Sequence, residues 1–400
     1  MKKTLIASAA CLACVGAWAQ VNLYGIVDAG VTHVSGLAGG SKTQLSSGIM
    51  EGSRWGLRVQ EDLGGGYKAM ATVESRFETD TGIFGNRPAS GSQLPDRITA
   101  GLPPAVAAGV TGAVGPTLGV NLDSRAFDRQ SWVGLVTPVG GFLMGRQYTP
   151  AFEAVATFDS MGTQSALSVG QLVTIPAGVD IRYDDTLQYR ILQGPWSAAL
   201  MTSFPGGATS ASKRLMGMNG FYKGGAFQVG FGHNAKKNSA DQKSLSSTIV
   251  GASSTLGAFT VSGLWGRIQE PNPSSGPELA AGLTAAGVPT ALVNNVIDRL
   301  KQDANLLHLG VRYQMGTAGH ITVAVNKLND KRATNADVTS YGVAYTYPLS
   351  KRTNLNMVLT RYNNSANAQT APGGNGYLGG VTATAGRDST SVAFGIRHAF

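Results

Sequence analysis

Cysteine, charge and long apolar runs are all scarce in this chain, and each shortage excludes a class of protein. The two cysteines, Cys11 and Cys14, both lie near the N-terminus, so the rest offers neither a disulfide framework nor a thiolate metal site. Charged residues make up 14% of the 400, against about 25% in an ordinary soluble protein. Mean hydropathy is zero. Beyond the first residues no apolar run approaches the ~20 residues that a membrane helix needs. Catalytic signatures are missing too: no nucleophile elbow, no His-Glu-x-x-His and no phosphate-cradling glycine loop. His33, His233, His308, His320 and His398 are scattered over different segments. An enzyme reading therefore has nothing to assemble, and no metal, cofactor or nucleic-acid partner is expected.

The N-terminus is of another kind. Met1-Lys2-Lys3 is a short cationic start, residues 5–15 are apolar, and Ala17-Trp18-Ala19 has the small-x-small pattern that signal peptidase reads. The spacing predicts a secretory signal over 1–19, cleaved between Ala19 and Gln20, and one mature domain over 20–400. Ser8 stands three before Cys11, where a lipoprotein signal would carry an aliphatic residue. Without Lys2 and Lys3, 30 of the 32 basic residues face 23 acidic ones, a net charge of +7.

From residue 20 onward the dominant period is two. Phe227, Val229, Phe231 and His233 alternate with Gln228, Gly230, Gly232 and Asn234; Tyr341, Val343, Tyr345 and Tyr347 alternate with Ser340, Gly342, Ala344 and Thr346. In a strand such spacing puts each set on its own face. The connections alternate as well. Short glycine- or proline-bearing turns fall at 62–66, 137–141, 193–195, 223–225, 255–257, 315–319 and 348–352. Longer polar loops fall near 35–48, 79–127, 150–180, 205–216, 236–244, 269–302, 329–336 and 364–386. Seven turns and eight loops join sixteen strands.

Short turns on one side, long loops on the other and an even strand number are the pattern of an outer-membrane barrel. Closure satisfies every backbone group in lipid, which an open sheet cannot do. The expected fold is therefore all-β: a transmembrane, antiparallel, up-and-down barrel of about 16 strands, wide enough for a water-filled lumen. A soluble β-sandwich would carry more surface charge and shorter strands. Val392, Phe394, Ile396 and Phe400 share the lipid-side parity of the last strand.

Several blocks resemble the trimeric general porins of Gram-negative bacteria. Val21-Asn22-Leu23-Tyr24-Gly25-Ile26-Val27-Asp28-Ala29-Gly30 is similar to their first strand. Gly52-Ser53-Arg54-Trp55-Gly56-Leu57-Arg58, continuing through Glu61-Asp62-Leu63-Gly64 to Glu74-Ser75-Arg76-Phe77, is similar to their second hairpin. Gln130-Ser131-Trp132-Val133-Gly134-Leu135 and Gly145-Arg146-Gln147-Tyr148 match later strands, and the terminal Phe400 resembles their assembly signal. The likeness implies a general diffusion porin of the Gram-negative outer membrane, passing small hydrophilic solutes and ions. It also implies a homotrimer, contact with outer-membrane lipid and lipopolysaccharide, and recognition by the barrel assembly machinery.

The resemblance further implies that the third outer loop, 149–180, folds into the barrel and narrows it, with Glu153 and Asp159 as the acids facing the constriction. Strand alternation supplies the opposing wall. With Trp55, Leu57 and Val59 toward lipid, Arg54 and Arg58 face the lumen; with Tyr67, Ala69 and Val73 outward, Glu74 and Arg76 face inward. Arg146 joins them only if a bulge intervenes, because it shares parity with Phe142. Basic residues outnumber acids in this set, and rings of arginine favour anions, so a modest anion preference is expected. The alternative is a barrel that serves mainly to anchor adhesin or receptor loops. Loops 79–127 and 269–302 are extended, with Leu279, Leu283, Leu292, Val296 and Leu300 spaced along a helix. Capping the mouth, contacting a neighbour and being tolerated surface all remain open for them.

Overall fold

The alternating segments form strands whose backbone groups are paired in a closed ring. The computed structural model describes residues 20–163, 165–173, 177–204, 214–373 and 380–400. The expected signal segment, with Cys11, Cys14 and Ala19, lies outside them. The first half contains β1 (Gln20–Leu37), β2 (Gly40–Ser47), β3 (Arg54–Gly64), β4 (Tyr67–Arg76), β5 (Gln130–Thr137), β6 (Gly140–Tyr148), β7 (Arg182–Gln193), β8 (Trp196–Ser203) and β9 (Leu215–Gly224). The second half contains β10 (Phe227–Lys237), β11 (Lys243–Leu256), β12 (Phe259–Glu270), β13 (Gln302–Gln314), β14 (His320–Asp330), β15 (Val338–Pro348), β16 (Thr353–Asn364) and β17 (Ser389–Ala399).

From β3 onward every strand pairs antiparallel with its successor, and β17 returns to β1 from Ile26↔Ala399 to Val34↔Ser391. β1 is long enough to meet two partners on its other edge: β2 along its outer half and β3 along its inner half. β2 and β3 thus share one position in the ring, and the 17 strands make sixteen staves. The segment 35–48, expected as an outer loop, is mostly this extra hairpin. Its turn runs through Gly39 and Gly40 at φ 88 and 100, a conformation that costs glycine little.

Between β2 and β3 the backbone leaves the ladder over residues 48–53, and Asp28 satisfies it. The buried carboxylate of Asp28 accepts from the N–H groups of Ile49 at 3.0 Å, Met50 at 2.9 Å and Glu51 at 2.8 Å, while its carbonyl accepts from Gly48 N–H at 2.8 Å. Without it, three amides in the break would be left unpaired inside a membrane wall, each costing about 1–3 kcal/mol.

The outward face is an apolar belt of directly opposed side chains. Val343, Leu359 and Val392 stand in one row and Met357, Phe394, Val31 and Leu45 in the next, all exposed. On the opposite parity, Thr322, Asn326, Ser340, Asn356, Thr360 and Ser391 are buried. Beside the short turns, aromatic pairs ring the barrel: Trp196 with Tyr222 and Phe259 with Tyr313, each at 4.7 Å. Such girdles mark the membrane interface of outer-membrane barrels.

The loop between β6 and β7 opens with a helix, α3 (Pro150–Phe158), numbered after α1 (Asp96–Thr99) and α2 (Pro104–Val114) in the loop that follows β4. Thr149 caps it and Pro150 starts it, as the fixed φ of proline favours. Ala151, Ala154, Val155 and Phe158 are fully buried against the inward face of β9–β12. Two glycines make the seat. A Cβ on Gly232 would lie 2.3 Å from the Pro150 carbonyl oxygen, and one on Gly251 2.4 Å from the Phe158 ring. Gly251→Val should therefore push the helix off its wall at a cost of about 1–3 kcal/mol. The temperature at which the folded, heat-modifiable form is lost on gel electrophoresis should fall, whereas Gly257→Ala, in an open turn, should lower it less.

Candidate functional site

The loop held by this helix runs against one half of the inner wall and leaves the other half free. Beyond α3, Asp159 turns the chain: its carboxylate accepts from Met161 N–H at 3.0 Å, Thr163 N–H at 2.9 Å and Ser168 Oγ–H at 2.5 Å. Ser160 N–H donates to His308 Nε2 at 2.9 Å, so His308 Nδ1 carries the proton that bonds Asn326 Oδ1 at 2.6 Å. Asn326 Nδ2 then donates to Leu167 O at 2.8 Å, and the Tyr362 hydroxyl to Ala166 O at 2.9 Å. Phe158, Leu172, Ile249, Ile268, Leu306 and Tyr362 pack between loop and wall as an apolar core inside the barrel.

Across from this filled half, β3–β7 and their outer ends carry charge. A cavity of about 560 Å³ lies between the two halves. Arg54, Arg76, Arg129, Arg146 and Arg182 line it together with Glu51, Asp128, Glu153 and Asp180: five cations to four acids. Every one of the acids has a cation within reach. Arg54 bonds Glu51 at 2.7 Å, Arg76 Nε meets Asp128 at 3.4 Å and Lys236 bonds Asp180 at 2.9 Å, while Arg190 pairs with Glu153. Glu74, buried beneath the cavity, accepts from Arg129 at 2.7 Å and from the Tyr24 hydroxyl at 2.9 Å. Arg182 differs. It donates to the Tyr148 hydroxyl at 2.9 Å and lies 4.6 Å over the same ring, with no carboxylate within 4 Å among the described residues. Tyr148 also accepts from Arg129 at 3.2 Å, so one phenol oxygen joins two guanidinium groups.

Of the residues expected from sequence, Arg54, Arg76, Arg146 and Glu153 line the cavity and Glu74 supports it. Arg146 arrives through a bulge: pairing slips between Gly145 and Gln147, Gly145 sits at φ 125, and the guanidinium reaches Asp184 at 2.6 Å. Arg58 stands apart, 4.0 Å over the Tyr24 ring, and does not line the cavity. Asp159 departs from its expected role. Its side chain has no exposed surface, because the three donors of its own loop draw it away from the lumen. Asp128 and Arg129 were not foreseen, since they stand just before β5, where alternation gives no parity, and their place beside the matched Gln130 block was the signal available. Arg182 opens β7 opposite Tyr148, beyond the register slip in that pairing, so parity along the strand did not point to it. Asp159→Ala leaves two amides and a hydroxyl unpaired, worth about 1–3 kcal/mol each. Hydrogen exchange at Met161 and Thr163 should accelerate relative to the amides of β13.

Comparison with known proteins gives the same picture. A family signature described as Gram-negative porin matches residues 6–367. Outer membrane porin protein 32 of Delftia acidovorans is 27% identical over 423 aligned residues, covering all of both chains. Among solved structures, an anion-selective porin from Comamonas acidovorans superposes with a TM-score of 0.70 at 21% identity, over 96% of this chain and all of that one. The trimer form of OmpT, an outer membrane protein of Vibrio cholerae, gives 0.60 at 14% identity, over 96% and 99%. With a closed sixteen-stave barrel, a lipid-facing belt and a water-accessible charged lumen already in hand, the chain belongs to the Gram-negative porin family and is a diffusion channel of the outer membrane.

Proposed function

We propose that the chain, after loss of residues 1–19, forms a homotrimer in which each barrel passes small hydrophilic solutes and ions with a modest preference for anions. The observation that carries the preference is Arg182, a cavity cation with no carboxylate partner among the described residues, in a lining where arginines outnumber acids. Low-dielectric walls focus such a field. At physiological salt the Debye length of about 8 Å leaves it incompletely screened across a narrow lumen. The trimeric form of a fold relative and the anion selectivity in the name of another support the same reading. No catalytic step is assigned. His308, the histidine nearest a carboxylate, is engaged by the Ser160 amide and Asn326. In this reading Phe400, whose N–H bonds Gly25 O at 3.1 Å across the closing seam, is the residue that the barrel assembly machinery takes up. Lipopolysaccharide and outer-membrane lipid contact the apolar belt.

Planar-bilayer recording tests the preference. Arg54→Ala combined with Arg182→Ala should move the reversal potential in a salt gradient toward cations, and Glu153→Gln should move it the other way. Asp159→Asn and Lys351→Ala should leave it nearly unchanged. An unshifted potential in the arginine variant would remove the selectivity argument, and tiny or absent conductance steps in the wild type would favour an anchor for outer loops instead. A separate expectation concerns maturation: N-terminal sequencing of the outer-membrane form should begin at Gln20, and an intact Met1 would overturn the signal assignment.

A further inference from the structure

We propose that the outer loops after β4 and β12 form a fixed lid across the mouth, and that their shared apolar core, rather than the charged cavity alone, sets the largest solute the channel admits. The proposal rests on the channel reading above. The two loops rise from opposite sides of the barrel. Loop 77–129 leaves between the third and fourth staves, and loop 271–301 between the eleventh and twelfth, half a turn away in a ring of sixteen. They meet all the same. Leu94, Ile98 and Val110 from the first loop pack with Leu283, Val293 and Val296 from the second, and all six are buried.

Two helices of the second loop, α4 (Gly276–Ala285) and α5 (Thr290–Leu300), supply its half of this core. Loops built as independent rim decoration would not reach one another across a diameter. Loops built for a partner chain would leave these side chains outward. Polar ties hold the span in place: Arg299 Nη1 donates to Ile98 O at 3.3 Å, and Arg332, on the neighbouring loop, donates to Arg299 O at 3.4 Å. On another side, Asp96 N–H donates to Gln369 Oε1 at 2.6 Å. Beneath, Arg97 and Leu172 border one small void of about 40 Å³, so little space separates the lid from the loop that fills the barrel. A cover anchored on three sides admits solutes only through the gap left beside it, and the width of that gap limits their size.

Proteoliposome swelling with a pentose, a disaccharide and a tetrasaccharide tests this. In Val110→Asp combined with Val296→Asp, two buried charges separate the loops. The pentose rate should hold and the tetrasaccharide-to-pentose ratio should rise several-fold. Should that variant fail to give folded, heat-modifiable protein, the measurement is made with residues 276–300 replaced by a short Gly-Ser linker. An unchanged ratio in a folded variant overturns the lid, whereas absence of swelling with the pentose in the wild type overturns the channel reading and the lid with it.

Discussion

Everything in this molecule depends on leaving no backbone N–H or carbonyl unpaired in lipid. The ring of antiparallel ladders meets that demand for almost the whole wall, and the seam between β1 and β17 completes it. Besides local bulges such as that at Gly145, the break between β2 and β3 is an exception. There Asp28 takes over from the ladder, one carboxylate replacing three strand acceptors. The break also has a use. It turns Glu51 into the lumen, where it meets Arg54 and, across the closing seam, Arg397. The residue that repairs the wall therefore also sets where the first charges of the cavity stand.

The same accounting of buried groups organises the interior. A loop lying inside a barrel must find partners for its own backbone, and here His308, Asn326, Tyr362 and Asp159 supply them. Glycines at 232 and 251 let the helix come close enough for Phe158 and Val155 to be buried without a gap. Close packing then fixes the loop's position, since interiors packed to crystal density move in discrete steps rather than continuously.

How much of this was legible beforehand differs by link. The barrel was readable because period-two alternation survives any environment: Phe394 and Met357 had to share a face with Val31 whichever strands paired. The seven short turns fell where glycine and proline punctuate the strands. Arg54, Glu74 and Arg76 followed from parity on the same grounds. What failed was everything decided by contact rather than period. Asp159 reads as a free acid in a loop, yet three nearby donors claim it. Arg58 shares parity with Arg54, but one further turn of the ladder carries it to Tyr24, away from the cavity. Helical character in loop 269–302 was visible in the spacing of Leu279, Leu283, Leu292, Val296 and Leu300. Its division into α4 and α5, the burial of Val293 in place of Leu292, and the meeting with the opposite loop were not, because no local pattern encodes a contact across half a circumference.

The apolar filling of one half of the lumen has a consequence for how such a channel can change. The staves whose apolar side chains hold the inner loop, β9 to β16, and the staves that present the arginines, β3 to β7, are mostly different parts of the ring, meeting at Glu153, which bonds both Arg190 and Asn219. Substitutions far apart and without shared partners combine nearly additively. Substitutions in the arginine wall away from Glu153 therefore alter the field that solutes meet while leaving in place the packing that keeps the passage open.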